Sequence, residues 1–371
     1  MLRVAHVVTY ASADGAFGGP LAVAIAQARE LARRSHNVRL FAGWDGALEL
    51  SVPGVEVHLS GVRQLGPRFS GMRAPGLRKD LSALLPEIDL VHVHLGRDLV
   101  TSQAAMLALR AGKPLIVQTH GMVQPSRRIV VRAFDAVLTR KILRQAAACL
   151  VLGDSEDNAL ATVAPSAARI VLPNGIARTR TAVERDPHLV VFLARLHPRK
   201  RVHTFLDAAE ILQRREVHAR FEIYGPDEGD LPGVVARLRS GPLSQVVSYR
   251  GSVPPGGSLE PLSRASVYVL PSRGEVFPMT VLEALSVGTT TVITRDSEIS
   301  QEFARRGIGE VVDGDARSIA DAVERLLNDG HRRDASLAAA EAAIDGWIGI
   351  EPVVDRIEAI YESVVATGRV E

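Results

Sequence analysis

At 371 residues, and with roughly 150 residues to a domain, the chain is long enough for two domains. Hydrophobic residues make up 46% and charged residues 23%, which excludes a disordered chain; the apolar runs are too short for a bilayer span, and the single Cys149 excludes a disulfide or zinc framework. The net charge of +2 hides an asymmetry: residues 1–180 carry 22 Lys+Arg against 13 Asp+Glu, and the remainder 22 against 29, so one half is suited to an anionic partner.

Nucleic acid is not that partner: aromatics are 4% of the chain and no Arg/aromatic interleaving offers a stacking surface. Residues 1–9 lack the charged, apolar and cleavage regions of a signal peptide and read as a first strand, so the expected location is cytoplasmic.

Short β-branched runs alternate with helical stretches. Strands are predicted at 2–9, 38–42, 88–94, 114–118, 148–152 and 169–172. After a polar stretch at 179–187 they resume at 188–193, 220–224, 246–249, 266–270 and 290–294. Most are apolar without alternation, as strands buried on both faces of a parallel sheet are. Between them lie helices such as 20–34, where Leu21, Ile25, Ala28 and Leu31 share a face. The pattern is α/β: two Rossmann-like, doubly wound domains, 1–178 and 186–349, facing a central cleft lined by loops at the strand C-termini. Residues 350–371 follow the second set and open with an amphipathic helix over 350–366.

Several loops carry chemistry. The first loop holds adjacent Gly18 and Gly19 before Pro20, so its backbone can approach an anion at the N-terminus of the following helix. It is not Gly-x-Gly-x-x-Gly, which argues against a dinucleotide. Thr119-His120-Gly121 follows an apolar strand and aims a histidine at the cleft, whereas His92 and His94 read as structural. Arg195 and Lys200 follow the first strand of the second domain and suit a diphosphate. Glu275 and Glu283 bracket Pro278 at a helix start. Their eight-residue spacing, roughly 12 Å along a helix at about 1.5 Å per residue, suits two hydroxyl-rich groups flanking a diphosphate.

Together these motifs resemble a retaining glycosyltransferase of the GT-B fold, in the large family four group. The resemblance covers nearly the whole chain: Gly18-Gly19, Thr119-His120-Gly121, Pro173-Asn-Gly-Ile176, Arg195 with Lys200, Tyr249 to Val253, and Glu275 with Glu283. It implies that Gly18, Gly19, Arg195 and Lys200 meet the donor phosphates. It also implies that Glu283 binds the ribose, Glu275 holds sugar hydroxyls, and Gly251 to Val253 lie against the base. His120 would stabilise the sugar side of the transition state, and the terminal helix would cross back to the first domain. Val276 and Pro278 stand where the family often has glycines, Ala194 replaces a frequent glycine, and Ala177 a frequent aspartate. Pro278 has no N–H, so donation falls to Phe277, Met279 or Thr280. These departures bear on sugar identity.

The expected reaction is transfer of a sugar from a nucleotide diphosphate to a saccharide or lipid-linked saccharide acceptor, with no cofactor and no catalytic metal. Asp313-Gly-Asp315 imitates a metal-binding pair, but an N-cap before the helix near Ala316 explains it. The alternatives are a nucleotide-sugar epimerase, for which no acid/base set is apparent, and an inactive GT-B scaffold or nucleotide-binding protein. On the acceptor side, positive charge gathers at Arg63, Arg68, Arg73, Arg78 and Lys79, and again at Arg127, Arg128, Arg132, Arg140, Lys141 and Arg144. Val130, Phe134, Val137 and Leu138 recur among the second group at helical spacing. Such a stripe either packs into the core or lies with its arginines on an anionic membrane.

Overall fold

Runs such as Leu90–His94 and Leu189–Leu193 bury every residue, because each lies in the interior of a parallel sheet covered on both faces. The structure is a computed structural model that describes residues 1–12, 18–64, 71–179, 181–239, 241–254 and 256–368. Asp14 to Phe17 of the first loop, and Arg68, lie outside the described residues. The chain forms two units: Met1–Gly175 with Ile350–Glu371, and Ile176–Gly349.

In the first unit the strands are β1 (Arg3–Ala11), β2 (Asn37–Trp44), β3 (Val55–Gly61), β4 (Arg63–Gln64), β5 (Met72–Arg73), β6 (Leu90–His94), β7 (Leu115–Gln118), β8 (Ala148–Val151) and β9 (Arg169–Val171). β4 and β5 form a small antiparallel ladder, and the others make one parallel sheet in the order β3-β2-β1-β6-β7-β8-β9. Strand order reverses between β1 and β6, where His6 lies opposite His92. Beyond the carboxyl ends of strands at such a reversal, open α/β sheets bind ligands.

The helix Ile350–Thr367 belongs to this unit. Val353, Val354, Ile357, Ile360, Tyr361 and Val364 recur on one face and are buried against Val4, Leu31, Leu90, Ile116 and Leu150. Arg34 reinforces the contact through Asp355 and Glu358, each at 2.5 Å.

In the second unit β10 (Leu189–Leu193), β11 (Arg220–Tyr224), β12 (Val247–Tyr249), β13 (Val267–Leu270), β14 (Thr290–Thr294) and β15 (Glu310–Val312) form a parallel sheet. Its order is β12-β11-β10-β13-β14-β15, with the reversal between β10 and β13.

The sequence reading lacked β3, the two-residue β4 and β5, and β15. β3 is an edge strand whose alternating Val55-Glu-Val-His-Leu59 is only half-buried, and β15 is three residues long. The first helix starts at Gly18, two residues ahead of Pro20.

Candidate functional site

In the second unit, the segments leaving β10 and β13 lie beyond the carboxyl ends of the two strands at the reversal. The first makes a 3-10 turn, Pro198–Lys200, capped by His197, whose Nδ1 accepts from the Arg199 N–H at 3.1 Å. Arg201, at φ +57°, then turns the chain into the helix Val202–Arg214. The second segment ends at the helix Met279–Ser286, whose N-terminus has no side-chain cap. Its first N–H groups are thus left for an anion.

The segments are tied together. Arg273 N donates to Arg199 O at 2.9 Å, and Arg199 Nη2 donates to Gly274 O at 2.7 Å. Lys200 Nζ donates to Glu275 Oε1 at 2.5 Å, with both side chains largely enclosed. Arg195 does not join them. Its guanidinium pairs with Glu228 at 2.6 Å and stays 63% exposed. Glu275 lies in the turn ahead of the helix, so the helical spacing from Glu283 does not extend to it.

Glu283 sits inside the helix, where burial pushes its carboxyl up while a hydrogen bond from Ser258 opposes the shift. Beneath it, the fully buried Tyr268 donates to Leu193 O at 3.0 Å and meets Thr280 Oγ1 at 2.8 Å. That hydroxyl joins the end of β10 to the helix's first turn. Phe277 is buried, whereas Met279 and Thr280 are partly exposed.

Gly225 fixes the third loop. At φ +146° it lies so close to Ala194 O that a Cβ would come within 1.9 Å. Its N–H donates to Gly251 O at 2.9 Å, and Tyr249 Oη donates to Gly225 O at 2.9 Å. Gly251 follows β12 at φ +83°, with nothing within 4 Å of its Cβ position.

In the first unit, His120 and Gly121 adopt successive left-handed conformations, φ +51° and +74°. Positive φ is uncommon for a residue with a side chain, histidine being among the more tolerant, and it persists where the surroundings hold it. Glu156, fully buried in the helix Asp154–Val163, supplies that constraint. Its Oε1 accepts from Thr119 Oγ1 and the Gly121 N–H, and its Oε2 from the Leu152 N–H at 2.7 Å. Burial pushes the carboxyl up and the three donors act against it.

The His120 ring stacks on His94, with centroids 5.0 Å apart and Nε2 2.8 Å from His94 Nδ1. Burial pushes His120 down to about 3, which keeps it neutral at ordinary pH. Gly18 and Gly19 open the helix after β1, and the Cβ position of Gly19 meets nothing within 4 Å.

The basic segment of this unit is a helix, Ile129–Phe134, continued by a π-helical stretch, Asp135–Thr139, and by Arg140–Gln145. Arg97 anchors it through a bidentate pair with Asp135 at 2.8 and 2.9 Å. Only part of the apolar stripe turns inward. Leu138 packs on the core, but Ile129, Val130 and Val137 are 81%, 63% and 69% exposed, so core packing fails to account for them. Arg127, Arg128, Arg132, Arg140, Lys141 and Arg144 are exposed beside them, none paired with a carboxylate among the described residues.

Elsewhere, Asp315 caps the helix Ala316–Asn328 by accepting from the Arg317 and Ser318 N–H groups at 2.9 Å. Cys149 is buried in β8, which pushes its thiol up to about 12.

Residues 187–329 match the family model for glycosyl transferases group 1, and residues 18–175 match the glycosyl transferase 4-like domain. The chain belongs to this glycosyltransferase family. Among its relatives, the D-inositol 3-phosphate glycosyltransferase of Frankia alni is 30% identical over 182 residues, covering 46% of this chain and 45% of that protein. The enzyme of the same name from Acidothermus cellulolyticus is 26% identical over 344 residues, covering 84% and 73%. The chain thus spans about half the length of the first relative it matches. Anabaena HepE, solved in complex with UDP, superposes with a TM-score of 0.74 at 15% identity over 98% of this chain and 100% of that one. The chain therefore has the GT-B fold.

Sequence reasoning about this chain missed Glu156, Glu228, Tyr268, His6 and Tyr361. None carried a signal of its own: His92 and His94 repeat at strand period on one face, but only the register of β1 with β6 sets His6 opposite His92.

Proposed function

We propose that this chain is a retaining glycosyltransferase that moves a sugar from a nucleoside diphosphate to an acceptor hydroxyl without a catalytic metal. The observation that carries the reading is the Lys200–Glu275 contact at the reversal of the second sheet, beside the uncapped helix Met279–Ser286. A cation, a carboxylate and free N–H groups in one place suit a sugar diphosphate: Lys200 and Arg195 take the phosphates and Glu275 the sugar hydroxyls. Charge grows on the leaving diphosphate as the anomeric C–O bond breaks, and fixed cations lower that barrier. Glu283 is assigned to the ribose, Gly251 and Val253 to the base, and the open Gly19 with Gly18 to close backbone approach. His120 is assigned to the sugar side as a hydrogen-bond donor. HepE was solved with UDP and with UDP-glucose, which supports a uridine donor.

The exposed arginines and aliphatics of the helix over 129–145 favour an acceptor held at an anionic surface. Each cation near anionic lipid contributes about 1 kcal/mol. No helix among the described residues is long and apolar enough to cross a membrane, so the docking we propose is peripheral. Relatives named for inositol 3-phosphate support an anionic acceptor by a different route, as a phosphorylated polyol.

The deciding experiment screens UDP-, GDP- and ADP-sugars by thermal shift and by nucleotide release in EDTA. A ligand specific to the native state stabilises by about 2.7 kcal/mol at a hundredfold excess over its Kd. Stabilisation by one donor class and EDTA-resistant release are expected; no response to any sugar nucleotide would remove the reading. Salt-sensitive sedimentation with anionic liposomes only is expected of a lipid-held acceptor. Equal partitioning to anionic and neutral liposomes would leave the phosphorylated polyol.

A further inference from the structure

Behind His120 lies a file of buried polar rings that the proposed chemistry does not use. His6 of β1 and His92 and His94 of β6 are fully buried, with centroids 4.7 Å apart for the tilted pair His6–His92 and for the stacked pair His92–His94. Tyr361 of the terminal helix, also fully buried, closes the file. The contacts are continuous. Tyr361 Oη lies 2.6 Å from His92 Nδ1 and 3.2 Å from His6 Nε2. His6 Nδ1 lies 3.1 Å from His94 Nε2, and His94 Nδ1 lies 2.8 Å from His120 Nε2.

We propose that His92, Tyr361, His6 and His94 form a one-way hydrogen-bond relay that fixes the proton of His120 on Nδ1. They are positioning residues for His120, and the inference rests on His120 acting as a hydrogen-bond donor toward the sugar.

The direction follows from counting protons. Burial keeps all four imidazoles neutral and the phenol protonated. Each ring then has one donor and one acceptor, and the phenol has one proton to give. With four links in series, the direction of one sets the direction of all. The far end decides it: His92 Nε2 is buried with no hydrogen-bond partner among the described residues. A bare lone pair there is tolerated more readily than an orphaned buried N–H. His92 therefore carries its proton on Nδ1 and donates to Tyr361. Tyr361 donates to His6, His6 to His94, and His94 to His120 Nε2. The nitrogen of His120 outside the chain, Nδ1, must hold an N–H, which donates and cannot act as a base.

All four histidines are consequently Nδ1–H tautomers, whereas the opposite direction makes all four Nε2–H. Nitrogens of His6, His92 and His94 also lie within 4.8 Å of one another, a spacing at which they could be drawn onto a metal ion. Such an ion would consume the lone pairs the relay needs.

The test uses the full chain labelled with 15N-histidine and long-range 1H–15N correlation spectra at neutral pH, with Tyr361→Phe beside the native protein. Expected are four Nδ1–H rings in the native protein and mixed tautomers at His120 in Tyr361→Phe. In turnover, Tyr361→Phe is expected to lose roughly tenfold in kcat, the scale of one hydrogen bond, with donor KM unchanged. Nε2–H rings in the native protein, an unchanged His120 spectrum in Tyr361→Phe, or one equivalent of bound metal would each overturn the relay. Nδ1–H rings in a protein without transferase activity would instead uphold the relay and remove the functional reading.

Discussion

Acid should unfold the first unit through its histidines. Burial pushes His6 and His120 down to about 3 and His92 and His94 well below the ordinary histidine range. The unfolded chain titrates near 6.5, so below that pH it takes up protons that the folded unit refuses. The stability these residues contribute is complete above pH 6.5 and is lost as the pH falls toward 3. Each histidine removes about 1.4 kcal/mol per pH unit in that window, against a typical total of about 5–15 kcal/mol. Glu156 and the buried Asp98, which caps the helix Leu99–Arg110, act in the opposite sense, because burial raises their carboxyls and the folded unit accepts those protons first. A difference between variants cancels them. His92→Leu removes one titrating ring, so the native protein should lose about 2 kcal/mol relative to this variant between pH 6.5 and 5. The assay is urea unfolding at pH 7.5, 6.5, 5.5 and 5.0, followed by the fluorescence of Trp44 in a Trp347→Phe background. With the second tryptophan removed, the signal reports only the first unit. A difference that stays flat from pH 7.5 to 5 would refute the reasoning, since it would mean that His92 protonates inside the fold.

Gly225→Ala places a methyl 1.9 Å from Ala194 O. It should destabilise the second unit by about 3 kcal/mol, and an unchanged thermal midpoint in Trp347 fluorescence would count against the close approach. Glu156→Gln leaves one carbonyl oxygen for three donors, so a buried N–H loses its partner at a cost of about 1–3 kcal/mol. Faster amide exchange at Gly121 or Leu152 is the readout. Lys200→Ala and Arg195→Ala should each lower turnover by about 10²–10³, measured as nucleotide release without divalent ions. His120→Ala should lower turnover while leaving nucleotide affinity nearly intact, and a nucleotide Kd as weakened as that of Lys200→Ala would remove its assignment to the sugar.

The sheets were legible because strands such as Leu189–Leu193 are apolar throughout, whereas β3 was lost because its edge position leaves Glu56 and His58 half in solvent. Lys200 and Glu275 were legible as singular residues beside strand ends, but nothing in a separation of 75 positions announces that they touch at 2.5 Å. The partners that hold the loops were harder still. Glu156 looks like an acidic residue in a helix's first turn, and that dipole-friendly position already explains it. Only the fold shows its carboxylate turned back onto Thr119 and Gly121. The histidines make the same point more sharply. His92 and His94 repeat at strand period, yet a solitary histidine on an apolar strand has a sufficient explanation in packing. It is the parallel register of β1 with β6, setting His6 opposite His92, together with a tyrosine 269 positions from His92, that makes them one chain of contacts. Register and distant docking are properties of the folded sheet, not of spacing. Residues that touch a ligand can therefore be read from loops after strands, while residues that hold them there become visible only when neighbouring strands are aligned.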